Sequence, residues 1–336
     1  MKTTHLRVPL PLAALLTAVW LTAAAPSVNS LLRQANGEML LTSVADAGAF
    51  YRIETSADLA QWTPLVTVQS TGTEQLLDTA APQRGRRFYR ATPLTGTGII
   101  TGDHLQTSNG DAVLHPIGHA SVMVSWNGKV LYSDPSDQNS NGPRFTGLPQ
   151  ADVIVITHTH SDHFDTSANN ARLNALLKAG TVIFAPQAIY NSMPSAAPAT
   201  LRGRTTVLAN GATGSAHGMT VRAIAMYNIP PGPIGHAQGV GNGYVITLGG
   251  KNLYFSGDSE DIPEMRALTN IDAAFLCMSE PSNMTVDAAA SAVREFRPRI
   301  VFPYHYRQSP TTFDTVRFKD LVGTDLGIEV RRRTFY

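Results

Sequence analysis

The pattern of apolar and polar positions changes once along the chain, near residue 100. From about Leu31 to Thr92, short segments alternate apolar and polar residues, and turn residues separate them. No stretch of this region has a convincing helical period. The segments with alternation are MLLTSVA, AFYRIETSA, LVTVQS, EQLLDTA and RFYRATP. This pattern predicts strands and favours a small all-β sandwich over residues 31–92.

After residue 102 the pattern becomes a mixture of hairpins, apolar strands and helices. Residues 93–102 are rich in Gly and Thr and are typical of a linker, so a second domain is expected over residues 103–336. Hairpins are predicted around Asn127-Gly128 and around Gly249-Gly250. Apolar runs predict strands buried on both faces, and helical spacing predicts two helices. The strands are expected at 153–156, 271–278 and 300–304, and the helices at 169–178 and 285–296.

An internal repeat organises this second domain. In the first half, a hairpin that ends at Asp134 precedes the apolar strand ADVIVITHTH; in the second half, a hairpin that ends at Asp258 precedes IDAAFLCMSE. Two similar halves with alternating strands and helices bury their apolar faces best when the two sheets pack together. The prediction is an α/β fold, an αββα sandwich of two halves, preceded by the small all-β sandwich.

The first 27 residues have the pattern of a secretory signal peptide. Lys2 and Arg7 precede an apolar stretch that is short for a membrane span and ends in small residues, Ala23 to Ala25. The mature protein is therefore expected to be exported, to the periplasm or outside the cell. An uncleaved membrane anchor is the alternative.

Composition narrows the choice of partners and of metal ligands. The chain has 336 residues, of which 43% are hydrophobic and 15% charged, with a formal net charge of +1, so nucleic acid is not an expected partner. Cys277, in an apolar run, is the single cysteine. It is expected to be buried and inert, and intrachain disulfides and multi-thiolate zinc sites are excluded.

The candidate chemistry lies directly after the first buried strand. His158 and His160 are two apart and therefore project from the same side of a strand end, and Asp162 and His163 follow where the chain turns. Asp258 and His305 each follow another predicted strand, although either one alone could have a structural role. These six candidate ligands are too many for one four-coordinate zinc ion. They suit two ions about 3.5–4 Å apart that share a carboxylate.

With these motifs, the chain resembles the metallo-β-lactamase-fold superfamily, in its branch of metal-dependent hydrolases. The resemblance rests on THTHSDHFD at 157–165, SGDSE at 256–260 and FPYHY at 302–306, with support from GHASV and SDP, and it spans about 103–336. It implies an αββα sandwich with two metals. The earlier segments YRIETSADLAQWTPLV and RRFYRA resemble immunoglobulin-like or fibronectin-like modules of secreted bacterial proteins.

The resemblance also implies roles for individual residues. His158 and His160 would bind the first metal, Asp162, His163 and His305 the second, and Asp258 would bridge them. The family's pattern expects one more histidine where this chain has Asn228. His236 is the nearest substitute, and Asn228 itself or a water is the alternative. His119 would contact substrate or support a ligand, whereas His115 and His217 would have no direct part in the site.

The expected activity is hydrolysis of an ester, lactone, amide or phosphodiester bond in a small-molecule or lipid-like substrate. A hydroxide shared by two divalent cations would attack, Asp162 would orient the water or take its proton, and His119 or Tyr304 would help to stabilise the oxyanion. Zinc is the expected metal, with manganese and iron as alternatives.

Two other functions remain open from the sequence. Imidazole and carboxylate ligands also suit iron, so a redox enzyme on the same scaffold is one alternative. The other is a noncatalytic surface protein, whose N-terminal module contacts the cell surface or a polysaccharide. Aromatic residues could form such a surface but are more often core residues: Phe50, Tyr51, Trp62, Phe88 and Tyr89.

Overall fold

The computed structural model describes residues 24–136, 144–167, 170–194, 201–230, 235–308 and 311–335. The apolar stretch of the predicted signal peptide lies outside these ranges, apart from its last small residues. Within the described ranges, no helix has the length and apolar character needed to cross a membrane.

The strands predicted between residues 31 and 92 are present. They are preceded by one more strand, and their bounds are β1 (Ser27–Arg33), β2 (Met39–Val44), β3 (Phe50–Ser56), β4 (Thr63–Gln69), β5 (Thr73–Asp78) and β6 (Phe88–Leu94). Strands β1, β2 and β5 form a three-stranded sheet. A small buried cluster joins this sheet to β3 and β4, and it includes Leu41 of β2 with Tyr51 and Ile53 of β3. Tyr51 is therefore a core residue, whereas Phe88 is 38% exposed.

Strands β3, β4 and β6 do not form a sheet of their own. They continue a ten-stranded sheet whose next strands are β7 (Gly102–Thr107), β8 (Gly110–Gly118), β9 (Ser121–Trp126), β10 (Lys129–Ser133), β11 (Ala151–Val155), β12 (Leu177–Ala185) and β13 (Thr205–Val207). The junction is the β4–β7 pair, where Val66 lies opposite Asp103. The structure thus shows N-terminal strands that extend the main sheet, and it does not show a separate all-β domain.

A seven-stranded sheet faces this one. Its order is β14-β15-β16-β17-β18-β19-β22, and the short strands β20 and β21 pair with each other. The bounds are β14 (Thr213–Ala216), β15 (Met219–Met226), β16 (Gly241–Leu248), β17 (Lys251–Phe255), β18 (Ala273–Cys277), β19 (Ile300–Tyr304), β20 (Arg307–Gln308), β21 (Thr311–Thr312) and β22 (Glu329–Val330). The described helices are α1 (Ala171–Ala175), α2 (Gln187–Ser192), α3 (Pro263–Arg266), α4 (Val286–Phe296) and α5 (Thr315–Val322).

The burial pattern of β11 shows how the layers pack. Val153 and Val155 belong to the cluster shared by the two sheets, while Ile154 packs with Leu173 of α1 and Ile189 of α2 on the opposite face. Alternate residues of one strand therefore bury two different layers, as the strand period requires. The fold is mostly sheet with few helices, consistent with the predicted α/β sandwich.

One predicted helix is shorter than expected. The spacing of leucines suggested a helix over 169–178, but α1 ends at Ala175, and part of that range lies outside the described residues. Leu177 instead begins β12, opposite Ala151. Leucine favours both a buried helix face and a buried strand, so its spacing alone cannot locate this boundary. The helix predicted at 285–296 is confirmed as α4, with Thr285 accepting a hydrogen bond from the Ala288 amide (3.1 Å) at its start.

The internal repeat is confirmed in detail at two aspartates. Asp152 and Asp272 are the equivalent residues, and each binds the ammonium of a hairpin lysine, Lys129 at 3.3 Å and Lys251 at 2.9 Å. Each also accepts a hydrogen bond from the backbone amide after that lysine, at 3.0 Å in both halves.

Equivalent hydrogen bonds also correct one part of the predicted repeat. The Asp134 carboxylate accepts from the Thr157 amide at 2.7 Å, and the Ser256 hydroxyl accepts from the Cys277 amide at 3.1 Å. Asp134 therefore corresponds to Ser256, and Asp258 lies two residues beyond the equivalent position. Cys277 is buried, as predicted, and burial raises the pKa of its thiol well above the usual range.

A buried charge cluster attaches the C-terminal segment to the main sheet. Asp103 is fully buried and receives hydrogen bonds from Arg331 (3.1 Å) and from Arg333 (2.7 Å). Burial alone would raise the pKa of Asp103, but the two guanidinium groups outweigh it, and the pKa lies below its usual value. The ionised carboxylate thus stabilises the fold.

We expect Asp103→Asn to lower the free energy of unfolding by about 3 kcal/mol or more, because it removes the carboxylate charge that the buried Arg331 and the half-buried Arg333 share. Urea denaturation measures the change. The control is Asp287→Asn, which removes an ion pair with Arg317 whose two side chains are 61% and 56% exposed, and which should cost about 1 kcal/mol or less.

The same carboxylate predicts a pH dependence. Since its pKa is lowered in the folded state, its contribution is complete above the ordinary carboxyl pKa of about 3.9 and is lost as the pH falls toward the folded-state value. The stability difference between wild type and Asp103→Asn should therefore shrink on acidification. A difference that does not change between neutral and acidic pH would contradict this.

Candidate metal centre

The predicted ligands converge at the carboxyl ends of the central strands. His158 and His160 follow β11, Asp258 follows β17, and His305 follows β19. Two groups form, each with ligand atoms within 4.8 Å of one another. The first group is His158, His160, His236 and Asp258, and the second is His119, Asp162, His163 and His305.

Asp258 lies between the two groups. Its Oδ2 faces the first group, 3.9 Å from His158 Nε2 and 3.5 Å from His236 Nε2. Its Oδ1 faces the second group, 3.1 Å from His163 Nε2 and 3.3 Å from His305 Nε2. One carboxylate therefore offers a separate oxygen to each group, which is the arrangement expected of a bridging ligand.

Several of these atoms are buried and have no hydrogen-bond partner among the residues that the structure describes. They are His158 Nε2, His163 Nε2, His305 Nε2 and Asp258 Oδ1. Buried polar atoms are normally hydrogen-bonded, so a group of orphaned atoms that face one another needs an explanation. Imidazole nitrogens and a carboxylate oxygen all offer lone pairs to divalent cations such as zinc. The donor set fits metal ions at both groups.

The opposite ring nitrogens are held by neighbouring side chains. His163 Nδ1 lies 2.8 Å from Asp134 Oδ2, and His158 Nδ1 lies 3.0 Å from Thr157 Oγ1. Thr157 Oγ1 in turn donates to Asp134 Oδ2 (2.7 Å). With Nδ1 protonated and donating, each ring leaves Nε2 free to bind a metal.

The second half of the repeat orients His305. Its Nδ1 lies 2.9 Å from the Ser279 hydroxyl, which follows β18. Asp134, Thr157 and Ser279 were not predicted to orient ligands, although all three lie within the quoted segments. For Ser279 no spacing could show this role, because its contact with His305 exists only once β18 and β19 are paired.

The structure separates the roles of Asn228 and His236. His236 belongs to the first group, and its Nε2 lies 3.2 Å from His160 Nδ1. Asn228 Oδ1 accepts from the His236 amide (2.8 Å), from the Gly235 amide (3.0 Å) and from His236 Nδ1 (3.0 Å). Asn228 thus positions both the backbone at Gly235 and the ring of His236, and these three hydrogen bonds already occupy its side-chain oxygen.

His119 lies beside the second group. Its Nε2 is 2.8 Å from Asp162 Oδ2, and its ring centroid is 3.8 Å from that of His305. Burial, and then the neighbouring His305, lower the pKa of His119 to about 4. The His119 amide donates to the carbonyl of Phe335 (2.9 Å), so the C-terminal segment, which the sequence did not implicate, helps to position it.

Tyr304 does not lie where the sequence analysis expected. Its side chain is fully buried, and its hydroxyl accepts a hydrogen bond from the Gly257 amide at 2.9 Å. Burial raises the pKa of this hydroxyl well above 10. A fully buried side chain is not accessible to substrate, so the expected role as an oxyanion donor is replaced by a contact that supports the backbone next to Asp258.

His217 and His115, which were not expected to bind metal, have hydrogen-bond partners away from the two ligand groups. His217 Nε2 lies 2.8 Å from the carbonyl oxygen of Gly180, and His115 Nδ1 lies 2.8 Å from that of Thr101. Neither belongs to the two ligand groups found among the described residues.

Comparison with known proteins gives a consistent picture. The family model described as "Beta-lactamase superfamily domain" matches residues 114–305. A UPF0173 metal-dependent hydrolase of Thermus thermophilus is 30% identical over 198 residues, which are 58% of this chain and 83% of that protein. Another from Deinococcus radiodurans is 31% identical over 232 residues, 65% of this chain and 94% of that protein.

Two solved structures are also similar. A candidate metal-dependent hydrolase of Parabacteroides distasonis shares 36% identity with a TM-score of 0.58, covering 70% of this chain and 99% of that one. The metallo hydrolase Igni18 of Ignicoccus hospitalis has a TM-score of 0.53 at 23% identity, covering 66% of this chain and 94% of that one, and supports the fold alone.

The contact between Asn228 and His236 leads to a testable prediction. Asn228→Ala removes the acceptor that orients the His236 ring, and we expect zinc affinity to fall by about 10–100-fold, as for other residues that orient a metal ligand. Competition titration against a chromophoric chelator measures it. Asn174→Ala, which removes an amide that contacts the Asn170 carbonyl in α1, is the control and should leave zinc affinity unchanged. Wild-type affinity in Asn228→Ala would refute the orienting role.

Proposed function

This chain belongs to the metallo-β-lactamase superfamily and is a metal-dependent hydrolase, and we propose that it uses two divalent cations that share Asp258. The observation that carries the proposal is the position of this carboxylate, with one oxygen toward each ligand group. The first cation would be held by His158, His160 and His236, and the second by Asp162, His163 and His305. Zinc suits these ligands, and manganese and iron remain alternatives.

Bound divalent cations would polarise the bond under attack and lower the pKa of water. The protein's own contribution is centred on Asp162, whose side chain is 18% exposed, in contrast to the buried Asp258. Asp162 Oδ2 is placed to orient a water or to accept its proton, and His119 Nε2, 2.8 Å away, positions this carboxylate oxygen. This arrangement supports hydrolysis of an ester, lactone, amide or phosphodiester bond in a small-molecule or lipid-like substrate.

We also propose that the protein is exported. The support is the basic and then apolar pattern before residue 28, with small residues at its end. Mass spectrometry of the protein recovered from the periplasm or medium should show an N-terminus near Val28. A chain that retains Met1 and remains inside the cell would refute export.

The two-cation proposal is tested by one substitution in each group. His158→Ala and His163→Ala should each reduce the bound metal from about two ions per chain to about one or fewer, and each should slow hydrolysis of nitrophenyl ester and phosphodiester substrates by more than about 100-fold. Elemental analysis of protein purified without added metal gives the metal's identity and stoichiometry.

His217→Ala is the matched control, because this histidine contacts the Gly180 carbonyl outside both groups. It should retain full metal content and activity. A wild-type protein that holds a single ion would refute the shared-carboxylate arrangement, and unchanged metal content in His158→Ala would remove that residue from the site.

A further inference from the structure

A cavity of about 320 Å³ lies at the carboxyl ends of β15, β17 and β18, and hydrogen bonds through Asn228 and Ser279 connect its lining to the candidate ligands His236 and His305. Two of its lining residues, Glu260 and Asn283, connect it to the candidate ligands. Glu260 Oε1 accepts from Asn228 Nδ2 (3.3 Å), and Asn228 orients His236. The cavity is therefore built by the same loops that hold the ligands.

Asn283 forms the second connection. Its Oδ1 accepts hydrogen bonds from the amide and the hydroxyl of Ser279, the residue that orients His305. Because an amide N–H can only donate, the Ser279 amide fixes which end of the Asn283 side chain is oxygen. Asn283 Nδ2 must then point away from Ser279.

That Nδ2 group has no hydrogen-bond acceptor in the described structure, although Asn283 is only 3% exposed. Buried amide donors without a partner are rare in folded proteins. Asn283 lines the cavity, so an oxygen atom of a bound molecule is the partner that would satisfy it. A carbonyl oxygen is the simplest such acceptor.

The charges around the cavity restrict the molecule further. Three carboxylates line it, those of Glu260, Asp261 and Glu280, and no basic residue is present among the lining residues that the structure describes. Asp261 Oδ2 pairs with Arg266 outside the lining, whereas Asp261 Oδ1 is buried with no hydrogen-bond partner among the described residues, and Glu280 is exposed and has the freer charge. The other walls include Ile229 and Met284, which are apolar. An anionic group would be repelled here, whereas a cation with an apolar body would be attracted.

We propose that this cavity binds the part of the substrate away from the cleaved bond, and that this part combines an apolar body, a carbonyl oxygen for Asn283 Nδ2 and a terminal ammonium group that faces Glu280 and Asp261. The identification of the occupant as substrate rests on the proposed hydrolase function. The selectivity of the cavity is independent of that function, because ligand binding can be measured without turnover.

Calorimetric titration of the full-length protein with three matched probes tests this selectivity. The probes are hexanamide, its ω-amino derivative and its ω-carboxy derivative, which share the carbonyl and the chain but differ in terminal charge at neutral pH. The ω-amino compound should bind most tightly and the ω-carboxy compound most weakly. Glu280→Gln should weaken binding of the ω-amino compound by about threefold to fivefold and leave hexanamide unaffected.

Two further variants complete the test. Asn283→Asp keeps the acceptor for Ser279 but removes the donor, so hexanamide binding should weaken by up to about tenfold. Asp287→Asn removes an exposed carboxylate that does not line the cavity and should leave all three affinities unchanged. Equal affinity for the three probes, tightest binding of the ω-carboxy compound, or no effect of Glu280→Gln would overturn the inference.

Failure of the hydrolase proposal can be told apart from failure of this one by repeating the titrations on chelator-treated protein. If the untreated protein holds no metal and hydrolyses neither substrate class, but the order of affinities holds with and without chelator, the selectivity of the cavity stands and the two-cation hydrolase is refuted. If the protein holds two metals and hydrolyses esters but the order is lost, only the cavity inference is overturned.

Discussion

The site depends on a carboxylate that is buried between imidazole rings. Asp258 is 3% exposed, and its two oxygens face different ligand groups, so its position sets the relation between them. Gly257 makes this position possible: its φ is +57°, and a Cβ there would lie 2.6 Å from Met226 Sδ and 3.0 Å from Thr157 Cβ. The Gly257 amide is in turn held by the Tyr304 hydroxyl (2.9 Å). Close packing, rather than flexibility, fixes the carboxylate.

The repeat explains how two similar halves came to supply different parts of the site. Asp134 and Ser256 accept the same backbone hydrogen bond in their respective halves, at 2.7 Å and 3.1 Å. Only Asp134 also accepts from a histidine, His163, at 2.8 Å. A carboxylate has enough acceptor sites for both tasks, whereas a serine suffices where only the backbone bond is needed. The first half thus holds most of the ligands.

Features with local causes could be predicted from the sequence. Period-two alternation located the N-terminal strands, and the spacing of His158 and His160 located the ligand cluster. The sequence could not show that β4 would pair with β7, because strand partners are set by tertiary contacts. It also left the choice between Asn228 and His236 open, because their roles depend on a loop geometry that no periodicity encodes.

Tyr304 and His305 illustrate a second limit. They are adjacent at the end of β19, and both were expected to reach the site. Tyr304 is the last residue of the strand and points beneath Gly257, whereas His305 has a φ of +44° and turns toward Asp258. A left-handed backbone at a histidine is uncommon, and it is what separates the directions of two neighbouring side chains here. Sequence motifs identify which residues cluster at a strand end, but the backbone conformation decides which of them faces the chemistry.

The second half has a distinct role in this arrangement. Its strand-end residues Asn228 and Ser279 orient one histidine in each ligand group, and both are also hydrogen-bonded to residues that line the neighbouring cavity. A molecule that satisfies Asn283 Nδ2 would stabilise the Ser279 contact that orients His305. If the occupant is a substrate, the two hydrogen-bond chains would connect its binding in the cavity to the orientation of the candidate ligands His236 and His305.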